Sequence, residues 1–568
     1  MGNRKDGNRK MNLKKSSIIL FISVIIYSCA NQLPPGGGPV DKTPPEIISV
    51  YPPNGTTNFS DNHFEIEFSE YVDKRSVQDA IFISPAINGI LEFDWSGKSL
   101  QVDFPEKLKE NLTYVVTIGT DAADLNNHNK MAQAYSFAFS TGDKIDKGVI
   151  EGKVYVALPQ GIMMYAYSVG DSVINPTKQK PKYISQAGEH GEYKLLGLAF
   201  GLYRVFAFQD EYADLIYNVG EDAYGCPDTD VSITEQDSIF HNLDFLMSRE
   251  DTLKPRLINA AMTDRFHILL EFNEPIDSTT IKSRNFYVID STSNKEFKPL
   301  YAFRGKVKRE NVVLVIKDSL SEQDNNYIQA KNIKDIAGNL SASDITQFVV
   351  SERPDTSAPD LYSSKSIPQI VDDKIIEEFG FYFDDGFDST LARKGISVSE
   401  RKGETVASQV TFLDDASFKV KVLGELNPKE NYQVNINLND IVDAAGNKRD
   451  SVYKYGFKPT SPTELSAVSG LVEIPGDSLK ENVMIVLQGA EGENTKIQKK
   501  ADSKLQWKFN KVNPGKYLVW SYIDKDSSGT YSYGKPYPFI PSERFVYYPD
   551  TLKLRARWPV EDVKIEYK

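Results

Sequence analysis

Alternation of apolar and polar residues over short segments is the dominant pattern of this chain. Ile66-Glu67-Phe68-Ser69-Glu70 and Leu270-Glu271-Phe272-Asn273-Glu274 each place every second side chain on one face, as a half-buried β-strand requires. Tyr and Phe, with 30 residues each, are typical of strands rather than helices. No amphipathic helical pattern of useful length interrupts these segments. We therefore predict an all-β protein.

One unit of this pattern occurs three times. Each copy begins at a proline-rich boundary, continues with an alternating strand that ends in acids, and adds a tyrosine-bearing strand before an acidic turn. The turn is Asp335-Ile336-Ala337-Gly338-Asn339 in the second copy and Asp443-Ala444-Ala445-Gly446-Asn447 in the third. The first copy instead has Asn126-Asn127-His128-Asn129, and the third has Asp385-Gly386 where the second has Glu-Pro. Such a repeat predicts a repeated small domain.

These elements resemble the bacterial Ig-like domain of the SbsA type, whose signatures are Phe-Ser/Asn-Glu-Pro-Ile/Val-Asp and Asp-x-x-Gly-Asn. The resemblance covers residues 43–142, 252–352 and 356–460, and the third copy is the loosest match. It implies three β-sandwiches, each made of two packed sheets.

A second unit occurs twice. Residues 149–154 and 467–472 are short strands that contain a glycine, and residues 198–210 match residues 512–524 position by position around a Gly-x-Tyr sequence. The glycine before the tyrosine supplies the positive φ of a tight turn that leads into a buried strand.

This second unit resembles the transthyretin-like sandwich of carboxypeptidase regulatory domains and collagen-adhesin B repeats. It covers residues 148–248 and 464–568. The predicted order is therefore Ig-like, transthyretin-like, Ig-like, Ig-like, transthyretin-like, a tandem array of β-sandwich domains. The linkers are short, so we expect a bent rod rather than a globule.

The N-terminus has the pattern of a secretory signal. Lys14 and Lys15 precede an apolar run over residues 18–27, which is too short to remain as a membrane-spanning helix. Ile26-Tyr27-Ser28-Cys29 resembles the bacterial lipobox, which implies that Cys29 is lipidated. We expect a lipoprotein signal peptide over residues 1–28; the alternative is an ordinary signal peptide with a coincidental cysteine.

Residues 29–42 are rich in Pro and Gly and predict a flexible tether. By resemblance to bacterial lipoproteins, the absence of Asp after Cys29 suggests sorting to the outer membrane. No acidic run precedes Asp41, which favours the periplasmic face over the cell surface. The tether and the domain order together resemble Ig-like lipoproteins found in Bacteroidetes.

Charge and cysteine content narrow the function classes. The net charge is -13, with no basic block in the mature chain, so nucleic acid is not an expected partner because its phosphates require Lys and Arg. The two cysteines are Cys29 and Cys226. Lipidation of Cys29 excludes a disulfide, and Cys226 is expected to be a buried structural thiol.

No motif for catalysis is found. The five histidines fall singly and never at ligand spacing, and no nucleophile, zinc or phosphate-loop motif is present. We therefore expect neither an enzyme nor a cofactor. Residues 524–529 imitate the start of a calcium loop, but Lys535 stands where a bidentate Glu is needed. A polar turn is the favoured interpretation, and no metal is expected.

The C-terminal domain contains an aromatic segment interrupted by prolines, which indicates a loop. Such a loop can stack on sugars or dock on a partner protein, and the alternative is that its rings pack into a core. The candidate binding residues are Tyr531, Tyr533, Tyr537, Phe539, Phe545, Tyr547 and Tyr548.

These observations predict a non-enzymatic, lipid-anchored envelope protein that acts as a modular spacer and docking scaffold. The expected partners are the membrane, through the N-terminal lipid, and an outer-membrane protein complex. One alternative is a surface glycan-binding or adhesion lipoprotein. Another is the non-catalytic subunit of an envelope enzyme.

Overall fold

The computed structural model describes residues 40–568 except 88, 171, 293–294, 318–319, 321–324, 372–373, 402, 476–481, 491–494 and 568. The predicted signal peptide, Cys29 and most of the tether lie outside the described residues. Among the helices that the structure describes, none is long and apolar enough to cross a membrane.

The chain folds into small β-sheets that pack as sandwiches, which confirms the predicted fold class. Buried apolar side chains gather in five large cores, which lie within residues 59–139, 150–245, 257–348, 379–441 and 468–567. The sandwiches around these cores are called domains 1 to 5 in chain order below.

Domains 1, 3 and 4 share one topology, in which two antiparallel sheets face each other. The strands of domain 1 are β1 (Ile47–Tyr51), β2 (His63–Phe68), β3 (Ile81–Ser84), β4 (Glu92–Ser96), β5 (Ser99–Asp103), β6 (Thr113–Ile118) and β7 (Tyr135–Ser140). They form the sheets β1-β2-β5-β4 and β3-β6-β7. The helix α1 (Lys74–Asp79) connects the two sheets, and its N-cap Asp73 accepts hydrogen bonds from the backbone of Arg75 and Ser76.

Strand β2 shows why the alternation predicts the fold. Its side chains alternate strictly between the core and the solvent: Phe64, Ile66 and Phe68 are buried, whereas Glu65 and Glu67 are exposed. The same alternation is found in the corresponding strand of domain 3.

The strands of domain 2 are β8 (Gly148–Tyr155), β9 (Met163–Ser168), β10 (Tyr183–Gln186), β11 (Glu192–Leu198), β12 (Gly201–Gln209), β13 (Ala223–Gly225), β14 (Val231–Ile233), β15 (Ile239–Phe240), β16 (Phe245–Leu246) and β17 (Ser248–Arg249). One sheet has the order β10-β9-β12-β13-β17, with β14 also paired to β12. The other has the order β11-β8-β15, in which β8 is flanked by an antiparallel strand and by short parallel strands.

Domain 3 repeats the topology of domain 1 in the sheets β18-β19-β23-β22 and β21-β20-β24-β25. Its strands are β18 (Leu257–Met262), β19 (His267–Phe272), β20 (Phe286–Asp290), β21 (Lys295–Phe297), β22 (Tyr301–Arg304), β23 (Asn311–Val315), β24 (Asn326–Ala330) and β25 (Asp344–Phe348). Two 3-10 turns lie at Ser278–Thr280 and Ser283–Asn285.

Domain 4 forms the sheets β26-β29-β33-β32 and β31-β30-β34-β35 and the hairpin β27-β28. Its strands are β26 (Leu361–Ser366), β27 (Gln369–Val371), β28 (Lys374–Ile376), β29 (Glu378–Phe383), β30 (Ile396–Glu400), β31 (Thr405–Val406), β32 (Ser408–Asp414), β33 (Ser417–Val422), β34 (Tyr432–Asn437) and β35 (Val452–Phe457). Its helical segments are α2 (Ser389–Lys394) and the 3-10 turn Leu438–Asp440, and a further 3-10 turn, Pro462–Glu464, leads into domain 5.

Domain 5 repeats the architecture of domain 2. Its strands are β36 (Ser466–Glu473), β37 (Val483–Gly489), β38 (Lys496–Lys500), β39 (Gln506–Val512), β40 (Gly515–Ile523), β41 (Phe545–Tyr547), β42 (Leu552–Leu554) and β43 (Val560–Glu566). The sheets are β39-β36-β43 and β38-β37-β40-β41, with β42 also paired to β40. As in domain 2, the sheet built around β36 combines an antiparallel and a parallel neighbour.

The chain returns on itself. Domain 5 contacts domain 2 through hydrogen bonds between residues more than three hundred positions apart, and consecutive domains are joined by the chain itself. Domains 2 to 5 therefore form a closed ring, which differs from the bent rod that the short linkers predict. The ring closes because a loop of domain 5 reaches the surface of domain 2.

Candidate functional site: the junction of domains 2 and 5

The contact of domain 5 is made by the loop between β40 and β41, residues 524–544, and by the adjoining strand β41. The two ends of the loop are fastened by one buried carboxylate. Glu543, only 3% exposed, accepts hydrogen bonds from the backbone N–H of Lys525 at 2.7 Å and of Ser532 at 3.0 Å. A buried carboxylate needs such donors, so the loop is held in one conformation.

The first part of this loop contains the residues that imitate a calcium loop. Asp524 accepts hydrogen bonds from the backbone N–H of Ser528 at 3.0 Å and of Gly529 at 3.1 Å. Carboxylate oxygens of Asp524, Asp526 and Glu543 lie within 4.8 Å of one another. Because these carboxylates accept backbone N–H groups, the interpretation as a polar turn accounts for them.

Aromatic rings form the centre of the junction. Phe539 of the loop meets Phe206 of domain 2 edge to face, with 5.8 Å between ring centroids. The guanidinium of Arg204 lies 3.6 Å from the centroid of the Phe539 ring. Tyr547 stacks on Tyr155 with the centroids 4.4 Å apart and an interplanar angle of 12°. Such aromatic pairs stabilise by about 0.5–1.5 kcal/mol beyond the burial of their area.

Backbone hydrogen bonds fix the register of the two surfaces. Ser542, 4% exposed, donates from its backbone N–H to the carbonyl of Pro227 at 3.1 Å and from its hydroxyl to the carbonyl of Cys226 at 2.9 Å. The Cys226 side chain is buried among aromatic residues, and this burial raises the pKa of its thiol. The thiol is therefore structural, as the sequence predicts.

The rim of the junction is polar. The hydroxyl of Tyr224 donates to the carbonyl of Gly534 at 3.0 Å. Lys535 forms an ion pair with Glu250 at 2.8 Å, although half of the Lys535 side chain, 47%, remains exposed.

The structure places most of the predicted binding residues at this junction rather than on an open surface. Tyr531 and Phe545 are buried, Tyr537 is exposed, and the other four candidates, Tyr533, Phe539, Tyr547 and Tyr548, are partly buried. The rings of this loop pack on domain 2 and on the core of domain 5. The reason is physical, since rings of this size gain more from contact with a complementary apolar face than from water.

A cavity of about 380 Å³ lies beside the stacked tyrosines. Its wall combines Tyr155 and Tyr547 with Asp228, Asp244 and Arg544. Burial raises the pKa of Asp244 to about 6, and the nearby charge of Asp228 adds to the rise. Burial also raises the pKa of Asp228, although Arg544 opposes the shift.

The cavity chemistry follows from these groups. Carboxyl groups beside aromatic rings suit a small ligand rich in hydroxyl groups. This cavity could not be predicted from the sequence, because its wall is assembled from charged residues of both domain 2 and domain 5.

A second cluster of titratable groups lies at the junction of domains 3 and 4. His267 contacts Asp264 through Nδ1 and Asp385 through Nε2, each at 2.8 Å. Burial lowers the pKa of His267, but the hydrogen bonds to Asp264 and Asp385 outweigh burial and raise the pKa to about 10. The imidazolium therefore bridges two domains as a cation.

A third cluster joins the start of domain 3 to its acidic turn. Carboxylate oxygens of Asp251, Glu274 and Asp335 lie within 4.8 Å of one another. Burial raises the pKa of Glu274, with further contributions from Asp251 and Asp335. Asp335 also accepts the backbone N–H of Asn339 at 2.8 Å, so it holds the predicted turn.

Comparison with known proteins supports the Ig-like part of the sequence analysis. Residues 41–141 match the family model of the bacterial Ig-like domain. No curated protein sequence matches the chain.

Three solved structures are among those to which the chain shows similarity. The N-terminal part of the bacterial S-layer protein SbsC is 12% identical, with a TM-score of 0.17, and covers 48% of this chain and 41% of that chain. Domains 1–6 of the surface layer protein SbsC are 11% identical, with a TM-score of 0.14 and coverages of 86% and 66%. The major pilin subunit BcpA of Bacillus cereus is 10% identical, with a TM-score of 0.14 and coverages of 74% and 100%. The chain spans less than two thirds of the length of these S-layer chains.

Proposed function

We propose that the protein is a non-enzymatic scaffold of the bacterial envelope, anchored to the periplasmic face of the outer membrane by a lipid on Cys29. It would belong with the Ig-like lipoproteins of Bacteroidetes that its tether and domain order resemble. In this role the chain holds an outer-membrane protein complex and carries out no chemistry of its own.

The observation that carries this proposal is the closure of domain 5 on domain 2. The stacked pair Tyr155 and Tyr547 and the buried Ser542 hydrogen bonds fix the two ends of a series of four sandwiches. In a closed ring the relative positions of the domains are fixed before a partner binds. Binding therefore does not lose the entropy that ordering the domains would cost. A lipid anchor adds to this by raising the local concentration of the ring beside membrane partners.

The proposal changes the role of the aromatic loop. The loop closes the ring, and the partner is expected on the outer faces of the ring, where Tyr537 is the one candidate residue that stays well exposed.

The proposed function is tested by purifying the tagged native protein in a mild detergent and identifying its companions by mass spectrometry. We expect one outer-membrane protein in near-stoichiometric amount. Recovery of the protein alone would contradict the scaffold role. As a matched control, a variant that opens the ring (Phe539→Ala with Tyr547→Ala) is expected to lose the companion while it stays in the membrane fraction.

The anchor is tested separately by the variant Cys29→Ala. We expect this variant in the soluble fraction, because a single signal peptide without acylation leaves no membrane attachment. A variant that stays fully membrane-bound and is processed as before would refute lipidation, whatever the outcome of the purification.

A further inference from the structure

Domains 2 and 5 each have a groove over equivalent strands, and in domain 2 residues 133–136 of domain 1 also line it. In each domain the groove crosses the sheet built around β8 or β36, over a glycine that faces an aromatic residue on the next strand: Gly152 pairs with Tyr193, and Gly470 pairs with Trp507. The groove of domain 5 has a volume of about 790 Å³.

A close approach of the backbone makes the glycine necessary. A Cβ on Gly152 would lie 2.1 Å from the carbonyl oxygen of Leu243, and one on Gly470 would lie 1.9 Å from that of Val563. Both distances are shorter than any contact between these atoms, so only glycine allows the strands to meet. The two glycines therefore hold equivalent positions of one repeated domain.

The charges that flank the two glycines differ. In domain 2 every charge has a partner across the strands: Lys194 pairs with Glu151 at 3.2 Å, and Lys153 pairs with Glu192 at 2.9 Å. His241 also contacts Glu151 at 2.6 Å. This groove is neutralised by its own side chains.

In domain 5 the acids of these pairs are missing. Lys508 occupies the position of Lys194, but the residue across from it is Ser469. The other cross-strand pair is Leu471 with Gln506. The lysine that domain 2 neutralises is thus left without its carboxylate in domain 5.

Further lysines line the walls of the domain 5 groove. Lys499 and Lys500 come from β38, and Lys564 comes from β43. Lys564 pairs with Glu473 at 2.8 Å, and Lys500 donates to the side chain of Asn482 at 2.5 Å. Within the described part of the chain, no carboxylate forms an ion pair with Lys499 or Lys508.

The acids that line the groove compensate this charge only in part. Asp502 accepts the backbone N–H groups of Lys504 and Gln506, each at 2.8 Å, and so serves a turn. Asp562 is the other acid of the lining. Because Lys564 is paired with Glu473, the other three lysines, Lys499, Lys500 and Lys508, face two acids. The overall charge of the chain, by contrast, is strongly negative.

We propose that the groove of domain 5 binds an acidic polysaccharide, whose carboxylate or sulfate groups pair with Lys499 and Lys508. The lysines lie on different strands, so one ligand must present more than one anionic group along its length. The groove is concave, which suits a chain rather than a flat membrane. Trp507 is only 4% exposed, so no open ring is present on which nucleic-acid bases could stack. The site depends neither on the lipid anchor nor on the scaffold role.

The experiment measures binding of the full chain with Cys29→Ala to polygalacturonate and to dextran sulfate, with neutral dextran as the uncharged control. We expect binding to both polyanions that weakens with added salt, and none to dextran. Ser469→Glu places a carboxylate opposite Lys508, as in domain 2, and is expected to weaken binding at least tenfold without removal of a lysine. Lys499→Ala with Lys508→Ala is expected to do the same.

The matched control is the equivalent groove. Lys153→Ala with Lys194→Ala in domain 2 is expected to leave binding unchanged, and Glu151→Ser with Glu192→Gln is expected to add affinity there. The proposal is overturned if the chain binds neither polyanion or if Ser469→Glu binds as well as the parent. It is also overturned if anionic phospholipid vesicles or single-stranded DNA bind to the groove more tightly than the polysaccharides.

Discussion

Two junctions of the ring differ in chemistry. Domain 5 meets domain 2 through stacked rings and backbone hydrogen bonds, with Phe539 and Tyr547 at the centre. Domain 3 meets domain 4 through His267, which lies between the carboxylates of Asp264 and Asp385, and through a small apolar cluster beside them. The first joins segments that are distant in the sequence, and the second joins neighbours.

The two junctions differ because they must offset different losses of chain entropy. Closing a long loop costs chain entropy that grows with its length, so distant domains need a large apolar contact, which gains free energy in proportion to its area. Consecutive domains are already held together by the linker. A small contact that combines an apolar cluster with buried ion pairs then suffices to set their angle, and such pairs fix geometry more than they add stability.

The largest expected effect comes from loss of the aromatic centre. Phe539→Ala with Tyr547→Ala is expected to weaken the closure by about 4 kcal/mol, because each ring is partly buried and full burial of such a ring is worth roughly 3–5 kcal/mol. The ring should open, so small-angle X-ray scattering should show a larger radius of gyration.

The thiol of Cys226 provides a second readout of the same variant. In the Cys29→Ala background it is the only thiol, and it is 2% exposed in the closed ring. We expect its reaction with a thiol reagent to become faster when the aromatic centre is lost. An unchanged radius and an unchanged thiol would contradict the assignment of these rings to the closure.

The next effect concerns the charged junction and its pH dependence. Because the pKa of His267 is raised from 6.5 to about 10, its stabilisation is complete below pH 6.5 and is lost as the pH rises through about 10. Asp264, Asp385 and Asp355 are the carboxylates that face the ring. We expect the free energy of unfolding in urea to fall over this range.

Lysines and tyrosines also titrate in this pH range. Comparison of the parent with the variant His267→Gln isolates the contribution of His267 to the pH dependence of unfolding. At pH 7 the substitution should cost about 2–3 kcal/mol, since it removes one partner from a buried pair. The difference between parent and variant should shrink towards pH 10. A difference that does not depend on pH would show that the imidazolium charge is not what stabilises the junction.

The smallest effect is expected at the rim of the aromatic junction. Lys535→Ala removes the ion pair with Glu250, but the Lys535 side chain is 47% exposed, and exposed pairs of this kind contribute less than about 1 kcal/mol. The radius of gyration should not change, and thermal unfolding should shift by no more than a few degrees. An opened ring in this variant would mean that charge, rather than the rings, closes it.

The sequence predicted the strands well because their signal is local. In β2 the alternation of Phe64, Ile66 and Phe68 with acidic residues is visible without any partner strand. The Gly-x-Tyr unit likewise begins a buried strand in both β12 and β40, at Gly201 and Gly515, although the predicted positive φ is found at Gly201 and not at Gly515.

The closure could not be predicted because its partners carry no local signal. Nothing near Phe539 indicates that Arg204 and Phe206 lie on its ring, more than three hundred residues earlier in the chain. Aromatic residues in a proline-rich loop can either bind an external ligand or pack against another domain of the same chain, and the loop sequence does not distinguish the two. By contrast, the unpaired Lys508 has a signal in the sequence, since alignment of the two repeats places Ser469 where domain 2 has Glu151.

The closure of domain 5 on domain 2 is tested most directly by a photoreactive benzoyl-phenylalanine at position 539 of the full chain. Irradiation is followed by mass spectrometry of the monomer. The structure predicts a cross-link within one chain between position 539 and the strand β12, around Arg204 and Phe206. Cross-links only to other molecules, or none to β12, would contradict the closed ring.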